Sequence, residues 1–220
     1  MKISKKFITA IVIVILTIIL ESLMYEVGRL FSLYPTLLIS EIDSKIPFLP
    51  GYIYLYISWF LMLFFIPIII YYYSSDNFYS YIATTIITIL IAFCIFILFP
   101  TTVSRPEINE TSVTLWITNL IFKMDSPVAC CLPSMHCALC FLFIIYTINL
   151  KELKPLFKTL IVVLSMLIII STLFIKQHVI YDILAAIVIV SLAYVICKKL
   201  NLSKYIKVLH EKFCLKLSKD

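Results

Sequence analysis

Two short stretches of this chain combine residue types that could carry out chemistry. Residues 132–136 read Leu-Pro-Ser-Met-His, and residues 176–182 read Lys-Gln-His-Val-Ile-Tyr-Asp. Each stretch opens an apolar run, and together they hold two of the three histidines in the chain. Because an ionisable group at the end of a membrane span is costly, such residues are candidates for a functional site.

The second stretch predicts a nucleophile. His178 and Asp182 are four residues apart, so they would share one face of a helix. A carboxylate that accepts one ring N–H of a histidine fixes its tautomer and leaves the other nitrogen free to attack. We therefore predict that His178 is the nucleophile and that Asp182 orients it. The alternative is a buried His–Asp pair that only satisfies itself.

The first stretch predicts an anion site beside a proton donor. Pro133 and Ser134 suit the start of a helix, where free N–H groups and the helix dipole favour an anion. Ser134 adds a hydroxyl, and His136 in the first turn could protonate a leaving oxygen. The alternative is an ordinary capped helix with a surface histidine.

Two cations complete the predicted site. Arg105 offers a planar fork that fits phosphate oxygens, and Lys176 lies two residues before His178. Two histidines, a carboxylate and two cations indicate phosphoryl transfer through a histidine intermediate. No acidic cluster suited to Mg²⁺ or Ca²⁺ is evident on that side, so the sequence predicts a reaction without metal or cofactor, supported by cations and backbone N–H groups.

The composition predicts the scaffold that holds these residues. Of 220 residues, 63% are hydrophobic and 14% are charged, whereas a soluble domain is about half apolar and a quarter charged. This favours one integral membrane domain, residues 1–220. Two glycines exclude a P-loop or dinucleotide fold in practice. The net charge of +6 lies mostly at the two ends, which fits membrane lipids as partners rather than nucleic acid.

Apolar runs predict an all-α, polytopic bundle of six transmembrane helices. A tight turn at 74–77 would make the second and third spans antiparallel neighbours, and a short interfacial helix is expected at 113–122 within the long segment 100–132. The remaining segment 31–50 is expected to be a loop. The predicted spans are residues 7–25, 51–73, 78–99, 135–150, 159–175 and 183–197.

The distribution of basic residues orients this bundle. With six spans, thirteen lysines lie on the side of the two termini, including the basic tail 198–220, and five basic residues lie on the other side. Loops rich in lysine and arginine stay in the cytoplasm. Both termini are therefore predicted to be cytoplasmic. Arg105 and the starts of the apolar runs at His136 and His178 are then predicted to lie together on the extracytoplasmic face of the cell membrane.

Four cysteines crowd the first stretch, at positions 130, 131, 137 and 140. Cys137 and Cys140 would share a helix face, but there is no second clean pair, so a zinc site is disfavoured. The sequence does not determine whether any of these thiols forms a disulfide.

The three motifs resemble those of the type-2 phosphatidic acid phosphatase superfamily, which includes lipid phosphate phosphatases and vanadium haloperoxidases. The matching residues are Ser-Arg-Pro at 104–106, Pro-Ser-Met-His at 133–136 and His-x-x-x-Asp at 178–182, within a core of about residues 95–190. The run Phe-Pro-Thr-Thr at 99–102 also resembles the branch that contains inositol phosphorylceramide synthases.

The resemblance implies a role for each residue. It makes His178 the nucleophile, Asp182 its orienting partner, His136 the general acid, and Arg105 and Ser134 ligands of the phosphate oxygens. The family often has a lysine where Leu98 stands, and Ser-Arg where residues 171–172 read Ser-Thr. Two phosphate-binding cations are therefore missing, and Lys176 is the candidate replacement for one of them.

We therefore predict a metal-independent lipid phosphatase that hydrolyses a phosphate monoester or pyrophosphate of the phosphatidate type. The alternative within the family is a lipid phosphotransferase, in which an alcohol replaces water. The alternative of another class is a non-catalytic membrane protein that retains the fold. Nothing in the sequence predicts the oligomeric state.

Overall fold

The computed structural model describes residues 4–216, and nearly all of its regular structure is helical. Two short strands, β1 (Thr36–Leu37) and β2 (Thr101–Thr102), pair in parallel, and a 3-10 turn spans Pro50–Tyr52. The helices are α1 (Lys5–Phe31), α2 (Glu41–Lys45), α3 (Ile53–Tyr73), α4 (Ser75–Leu98), α5 (Val113–Met124), α6 (Met135–Ile148), α7 (Pro155–Phe174), α8 (Ile180–Lys199) and α9 (Ser203–Lys216).

Five helices are long and apolar enough to cross a bilayer: α1, α3, α4, α7 and α8. Many of their large apolar side chains face outward, among them Leu16, Phe65, Leu160 and Val188. Such faces suit lipid and would be unfavourable in water. The predicted all-α, polytopic membrane fold is confirmed. The count of six spans stays a prediction, because α6 has 14 residues and a bilayer core requires about 20.

Serine caps explain where several helices begin. The hydroxyl oxygens of Ser4, Ser74, Ser112 and Ser134 each accept the N–H three residues further on, which satisfies a donor that the first turn leaves free. Ser74 is the single residue between α3 and α4, so the predicted tight turn is confirmed. The predicted short helix in segment 100–132 is also confirmed, as α5.

Helix α4 lies at the centre of the bundle and contacts α1, α3, α6, α8 and α9. Its inner face buries Phe78, Ile82, Ile89 and Phe96. A glycine lets α1 approach α4, because a Cβ at Gly28 would lie 3.1 Å from the Phe96 Cβ. This close contact fixes the C-terminal half of α1 against the end of α4.

The two described ends of the chain lie at one end of the bundle. Helix α9 packs against α1 and α4, and His210 is bonded to Tyr79 of α4 and to the Lys6 carbonyl of α1. A chain that crosses the membrane an even number of times would have both of its ends on the same side, as here. The sequence was interpreted as a basic tail here, whereas residues 203–216 form a helix. Residues 1–3 and 217–220, which include part of the predicted basic ends, lie outside the described residues.

The opposite end of the bundle carries irregular segments tied to the helices. The expectation that residues 31–50 form a loop was incomplete, because they contain β1 and α2. The Asp43 carboxylate of α2 accepts the Ile180 N–H at the start of α8, at 3.0 Å. Asp43 is 94% buried, so its hydrogen bonds replace lost solvation. Helix α2 thereby anchors this segment beside the second motif.

Candidate active site

A cavity of about 320 Å³ lies at this end of the bundle, and its wall includes both His136 and His178. The wall is formed by the C-terminal part of α1, the first turns of α3 and residues between 121 and 131. The first turn of α6 and the residues just before α8 complete it. The two motifs, separated by more than forty residues in sequence, therefore meet at one site.

His178 and Asp182 form the predicted pair. His178 Nδ1 lies 3.0 Å from Asp182 Oδ2, and the aspartate is fully buried. The expectation that the two share a helix face was wrong, because α8 begins at Ile180 and His178 precedes it. The pair forms because the same Oδ2 also accepts the Val179 N–H at 3.1 Å, as an N-terminal cap. His178 Nε2 makes no hydrogen bond within residues 4–216, so it is the nitrogen available at the cavity.

Aromatic rings hold His136 in place beside this pair. Its ring centroid lies 4.5 Å from that of Tyr56, nearly parallel, and 4.2 Å from that of Trp59. The ring centroids of His136 and His178 are 5.7 Å apart. Buried His136 Nε2 has no hydrogen-bond partner among the residues described. The two imidazole rings therefore lie next to each other in the wall of one cavity.

The start of α6 is joined to the start of α8. The Ser134 N–H donates to the Asp182 carbonyl at 3.2 Å, and the Ser134 hydroxyl oxygen accepts the Cys137 N–H at 3.3 Å. The cap that the sequence predicted is confirmed, and His136 lies in the first turn as expected. Ser134 is fully buried behind the cavity wall, so its contact with phosphate stays a prediction.

Arg105 is linked to the cavity through two of its wall residues. Its Nη2 donates to the Asp125 carboxylate and to Gln177 Oε1, and its Nη1 donates to the Asp125 carbonyl at 3.3 Å. The guanidinium also lies over the Phe122 ring, 4.8 Å from its centroid. Asp125 in turn accepts the Tyr25 hydroxyl of α1. Phosphate binding by Arg105 therefore stays a prediction, in which a phosphate would share or replace the Asp125 contact.

Lys176 lies apart from the other predicted residues. Its ammonium donates to the carbonyl oxygens of Asp43 at 3.0 Å and Ile46 at 2.5 Å, in the segment around α2. It is absent from the cavity wall, while Gln177 and His178 are both part of it. Its φ of 56° turns the backbone between α7 and α8, so successive side chains take different directions. Substrate binding by Lys176 stays a prediction without a geometric basis at this site.

Buried polar atoms without partners concentrate around the cavity. Native proteins rarely bury such atoms, so a cluster of them indicates a place for a ligand or water. Eight are found among residues 4–216, and only Thr85 Oγ1 and Thr147 Oγ1 lie away from the cavity wall and its direct partners. The remaining six are Arg29 Nε, Trp59 Nε1, Arg105 Nε, His136 Nε2, Gln177 Nε2 and Asp182 Oδ1.

The cysteines near the site are free thiols. Burial, together with the nearby Asp182 and Asp125 carboxylates, raises the pKa of Cys131, which lies in the loop before α6. Its thiolate is therefore disfavoured, and Cys131 is a poor nucleophile at neutral pH. The pKa of the neighbouring Cys130 is also raised, chiefly by burial. These thiols pack the loop, and the attacking group is expected elsewhere.

Sequence reasoning missed several residues of the cavity. Gln177, Asp125 and Tyr25 were not singled out, although the first lies directly before His178. Trp59 and Tyr56 were interpreted only as part of an apolar span. A usable signal was present for Asp125 and Gln177, since both are polar residues close to a motif. For the aromatic residues of α3, the sequence alone gives no indication that they surround a histidine.

A protein-family comparison matches the type-2 phosphatidic acid phosphatase family described as the PAP2 superfamily, over residues 43–196. The match includes all three motifs and the segments that bring them together. The chain matches no curated protein and no solved structure.

Proposed function

The chain belongs to the PAP2 superfamily, and from this premise we propose that it is an enzyme that cleaves a lipid phosphoester through a phosphohistidine on His178. Membership supports phosphatase- or phosphotransferase-type activity in general. The observation that carries the proposal is the pairing of His178 with buried Asp182 at 3.0 Å, with a second histidine beside them in the same cavity wall. The favoured reaction is hydrolysis of a monoester or pyrophosphate.

In the first step, His178 Nε2 attacks phosphorus and the bond from phosphorus to the lipid oxygen breaks. The Asp182 carboxylate holds the proton on Nδ1, which keeps the attacking nitrogen unprotonated and stabilises the positive charge that develops on the ring. His136 gives its proton to the departing lipid oxygen. Its stacking between Tyr56 and Trp59 limits the motion of the ring and supports this role.

In the second step, water attacks the phosphohistidine. His136, now neutral, takes a proton from that water, the phosphorus–nitrogen bond breaks, and its electron pair returns to His178 Nε2. The amide groups at the start of α6 and the Arg105 fork stabilise the phosphate oxygens in both steps. No metal ligand is needed for this sequence of proton and phosphoryl transfers.

The substrate would enter from the bilayer. The cavity wall combines the apolar side chains of Phe60, Ile121 and Met124 with polar groups, so it offers surface to both the tail and the headgroup of a lipid. We propose that this face is extracytoplasmic, from the distribution of lysines. A membrane-impermeant maleimide should label a cysteine introduced at Asn109 and miss one at Lys204, with Cys94 and Cys214 replaced by serine. Labelling of both from one side contradicts this topology.

A lipid phosphotransferase is the second candidate, because the cations near the cavity already have partners. Arg105 is paired with Asp125, and Arg29 lies 3.0 Å from Glu26. Paired cations attract a doubly charged monoester less strongly than free cations would, which favours a singly charged diester as the substrate. In this reaction an alcohol, rather than water, accepts the phosphoryl group from His178.

Purified protein in detergent tests both candidates. We expect phosphate release from at least one of phosphatidate, lysophosphatidate, phosphatidylglycerophosphate and a prenyl pyrophosphate, and none from the His178→Ala variant. Labelled lipids with added alcohols, separated by thin-layer chromatography, detect transfer. Product that appears only with an alcohol supports the transferase. Activity in the His178→Ala variant contradicts the proposal.

A further inference from the structure

Gln177 carries a buried donor that the reaction proposed above does not use. The side chain is 2% exposed and forms part of the cavity wall next to His178. Its Oε1 accepts a hydrogen bond from Arg105, while its Nε2 has no partner within residues 4–216. An unpaired buried donor costs free energy, so a group that is retained in this state is expected to meet an acceptor in the working protein.

The orientation of this amide follows from the chemistry of its partner. A guanidinium has five N–H donors and no acceptor, so the amide atom that faces Arg105 must be the oxygen. The NH₂ group is then the part of this cavity-wall residue that is left without a partner among the residues described. A flipped amide would place two donors against each other and would leave the oxygen without its hydrogen bond.

The backbone holds Gln177 and His178 as one unit. Their two N–H groups donate to the same carbonyl oxygen, that of Thr172, at 3.0 Å and 3.2 Å. Arg105 fixes the far end of the glutamine side chain. The Nε2 donor is therefore placed rigidly with respect to the nucleophile, which is the requirement for a group that orients the phosphate under attack.

The cations near the cavity already have partners, so a phosphate would need a further hydrogen-bond donor. Arg105 and Arg29 are each paired with a carboxylate, and Lys176 bonds to carbonyls outside the cavity. Leu98 and Thr172 stand where the resembling motifs have cations. Thr172 is fully buried, and its hydroxyl donates to the Ile169 carbonyl at 2.7 Å, so it offers nothing to a phosphate.

We propose that Gln177 is a substrate-binding residue, whose Nε2 donates to a non-bridging oxygen of the phosphate that His178 attacks, with Arg105 positioning the amide. The proposal rests on the proposed function for the identity of the reacting group. It assigns to a neutral amide part of the task that cations perform in the resembling motifs. A neutral donor also tolerates a phosphate of low charge, because it adds no charge of its own.

Two substitutions distinguish the contribution of the amide NH₂ donor from that of the amide oxygen acceptor. Gln177→Glu keeps an oxygen for Arg105 but removes the NH₂ donor. Gln177→Met removes both and keeps the length of the side chain. Thr147→Val is the matched control, because Thr147 Oγ1 is also buried and unpaired but lies outside the cavity wall, at the other end of α6.

Orthovanadate serves as the phosphate probe, and calorimetric titration of the full-length protein in detergent gives its Kd without turnover. We expect Gln177→Glu and Gln177→Met each to weaken vanadate binding by roughly 10-fold to 100-fold, the effect of losing a hydrogen bond to a charged group. Salt screens charge repulsion only weakly at this buried position, so the uncharged Gln177→Met variant must show the deficit as well. Thr147→Val should bind as the wild type does. The melting temperature of Gln177→Glu should not fall, because Arg105 keeps its acceptor.

A different pattern overturns the proposal. If Gln177 only supports Arg105, then Gln177→Glu binds vanadate like the wild type and only Gln177→Met is impaired. A wild-type protein that binds no vanadate also overturns it. A wild-type protein that binds vanadate but cleaves no phosphoester and forms no phosphohistidine overturns the proposed function alone, since the affinities of the variants still decide the role of Gln177.

Discussion

The histidines at the two ends of the bundle differ in how their ring nitrogens are used. At the end with α9, His210 is 98% buried and both of its nitrogens have partners, the Tyr79 hydroxyl at 3.0 Å and the Lys6 carbonyl at 2.9 Å. At the cavity end, His178 uses only Nδ1, and buried His136 Nε2 has no partner in the described part of the chain. Histidines are therefore buried at both ends of the bundle, but among the described residues ring nitrogens without a partner are found only on those at the cavity end.

This difference separates a structural histidine from candidates for chemistry. A buried imidazole with two hydrogen bonds gains nothing from a ligand and joins α1, α4 and α9 through its partners. A nitrogen that faces a cavity can attack phosphorus or exchange a proton. Substitutions at the two ends should therefore affect different measurements, activity at one and stability at the other.

After loss of His178 itself, the largest effect is expected at Asp182. Asp182→Asn should preserve the fold but lower turnover by roughly 10³-fold to 10⁴-fold, because an amide at this position favours the wrong tautomer of His178. Steady-state kinetics on the lipid substrate give the rate constants, and vanadate titration checks that binding is retained. A rate within tenfold of the wild type would show that the pair at 3.0 Å serves packing alone.

The effect at His136 should depend on the leaving group. His136→Ala is expected to slow cleavage of a lipid substrate by roughly 10²-fold to 10⁴-fold, since an alkoxide leaves poorly without a proton. The same variant should cleave nitrophenyl phosphate with a much smaller loss of rate, because that leaving group needs no proton. Comparing the two substrates on the same variant tests this, and an equal loss on both argues against a proton-donor role.

At the opposite end, His210→Ala should lower stability and leave the chemistry intact. Loss of the imidazole leaves the Tyr79 hydroxyl and the Lys6 carbonyl without partners, at a cost of about 2–3 kcal/mol. Thermal unfolding in detergent measures the change, and turnover well below the melting temperature should stay near the wild-type rate. Tyr79→Phe is the milder control, with an expected loss of about 1 kcal/mol. If His210→Ala lost most of its turnover while keeping full stability, His210 could not be distinguished from the histidines at the cavity.

Substitution of Lys176 is also expected to affect stability more than turnover. Its ammonium bonds to carbonyls of the α2 segment, so Lys176→Ala should lower stability by about 1–2 kcal/mol and change turnover less than tenfold. Kinetics with unfolding curves on the same preparation separate these quantities. A loss of roughly 10²-fold in rate at unchanged stability would instead support Lys176 as a replacement for a missing phosphate-binding cation.

Local patterns predicted the features that depend on neighbours in sequence. Five long apolar helices followed from apolar run lengths, and the start of α6 followed from Ser134, whose cap involves a residue three positions away. The spacing of His178 and Asp182 predicted their pairing, although the pair forms at a helix cap and not along a helix face. Contacts between residues that are close in sequence could therefore be predicted from the chain alone.

Contacts between distant segments could not be predicted in the same way. Tyr25 and Asp125 are 100 residues apart, and Arg105 and Gln177 are 72 apart, so their pairing depends on how the helices pack. Helix α9 was missed because its many lysines are typical of a solvated tail, and only the tertiary contacts of His210 explain its position. Likewise, nothing local indicates that Trp59 and Tyr56 enclose His136.

The most direct test of the central claim is to trap the covalent intermediate. Brief reaction with ³²P-labelled substrate and a denaturing quench should label wild-type protein with phosphate that is stable to base and labile to acid, as phosphohistidine is and an acyl phosphate is not. His178→Ala should carry no label, whereas His210→Ala, measured below its melting temperature, should be labelled like the wild type. Label on Asp182 or Ser134, or persistent labelling of His178→Ala, would contradict the account.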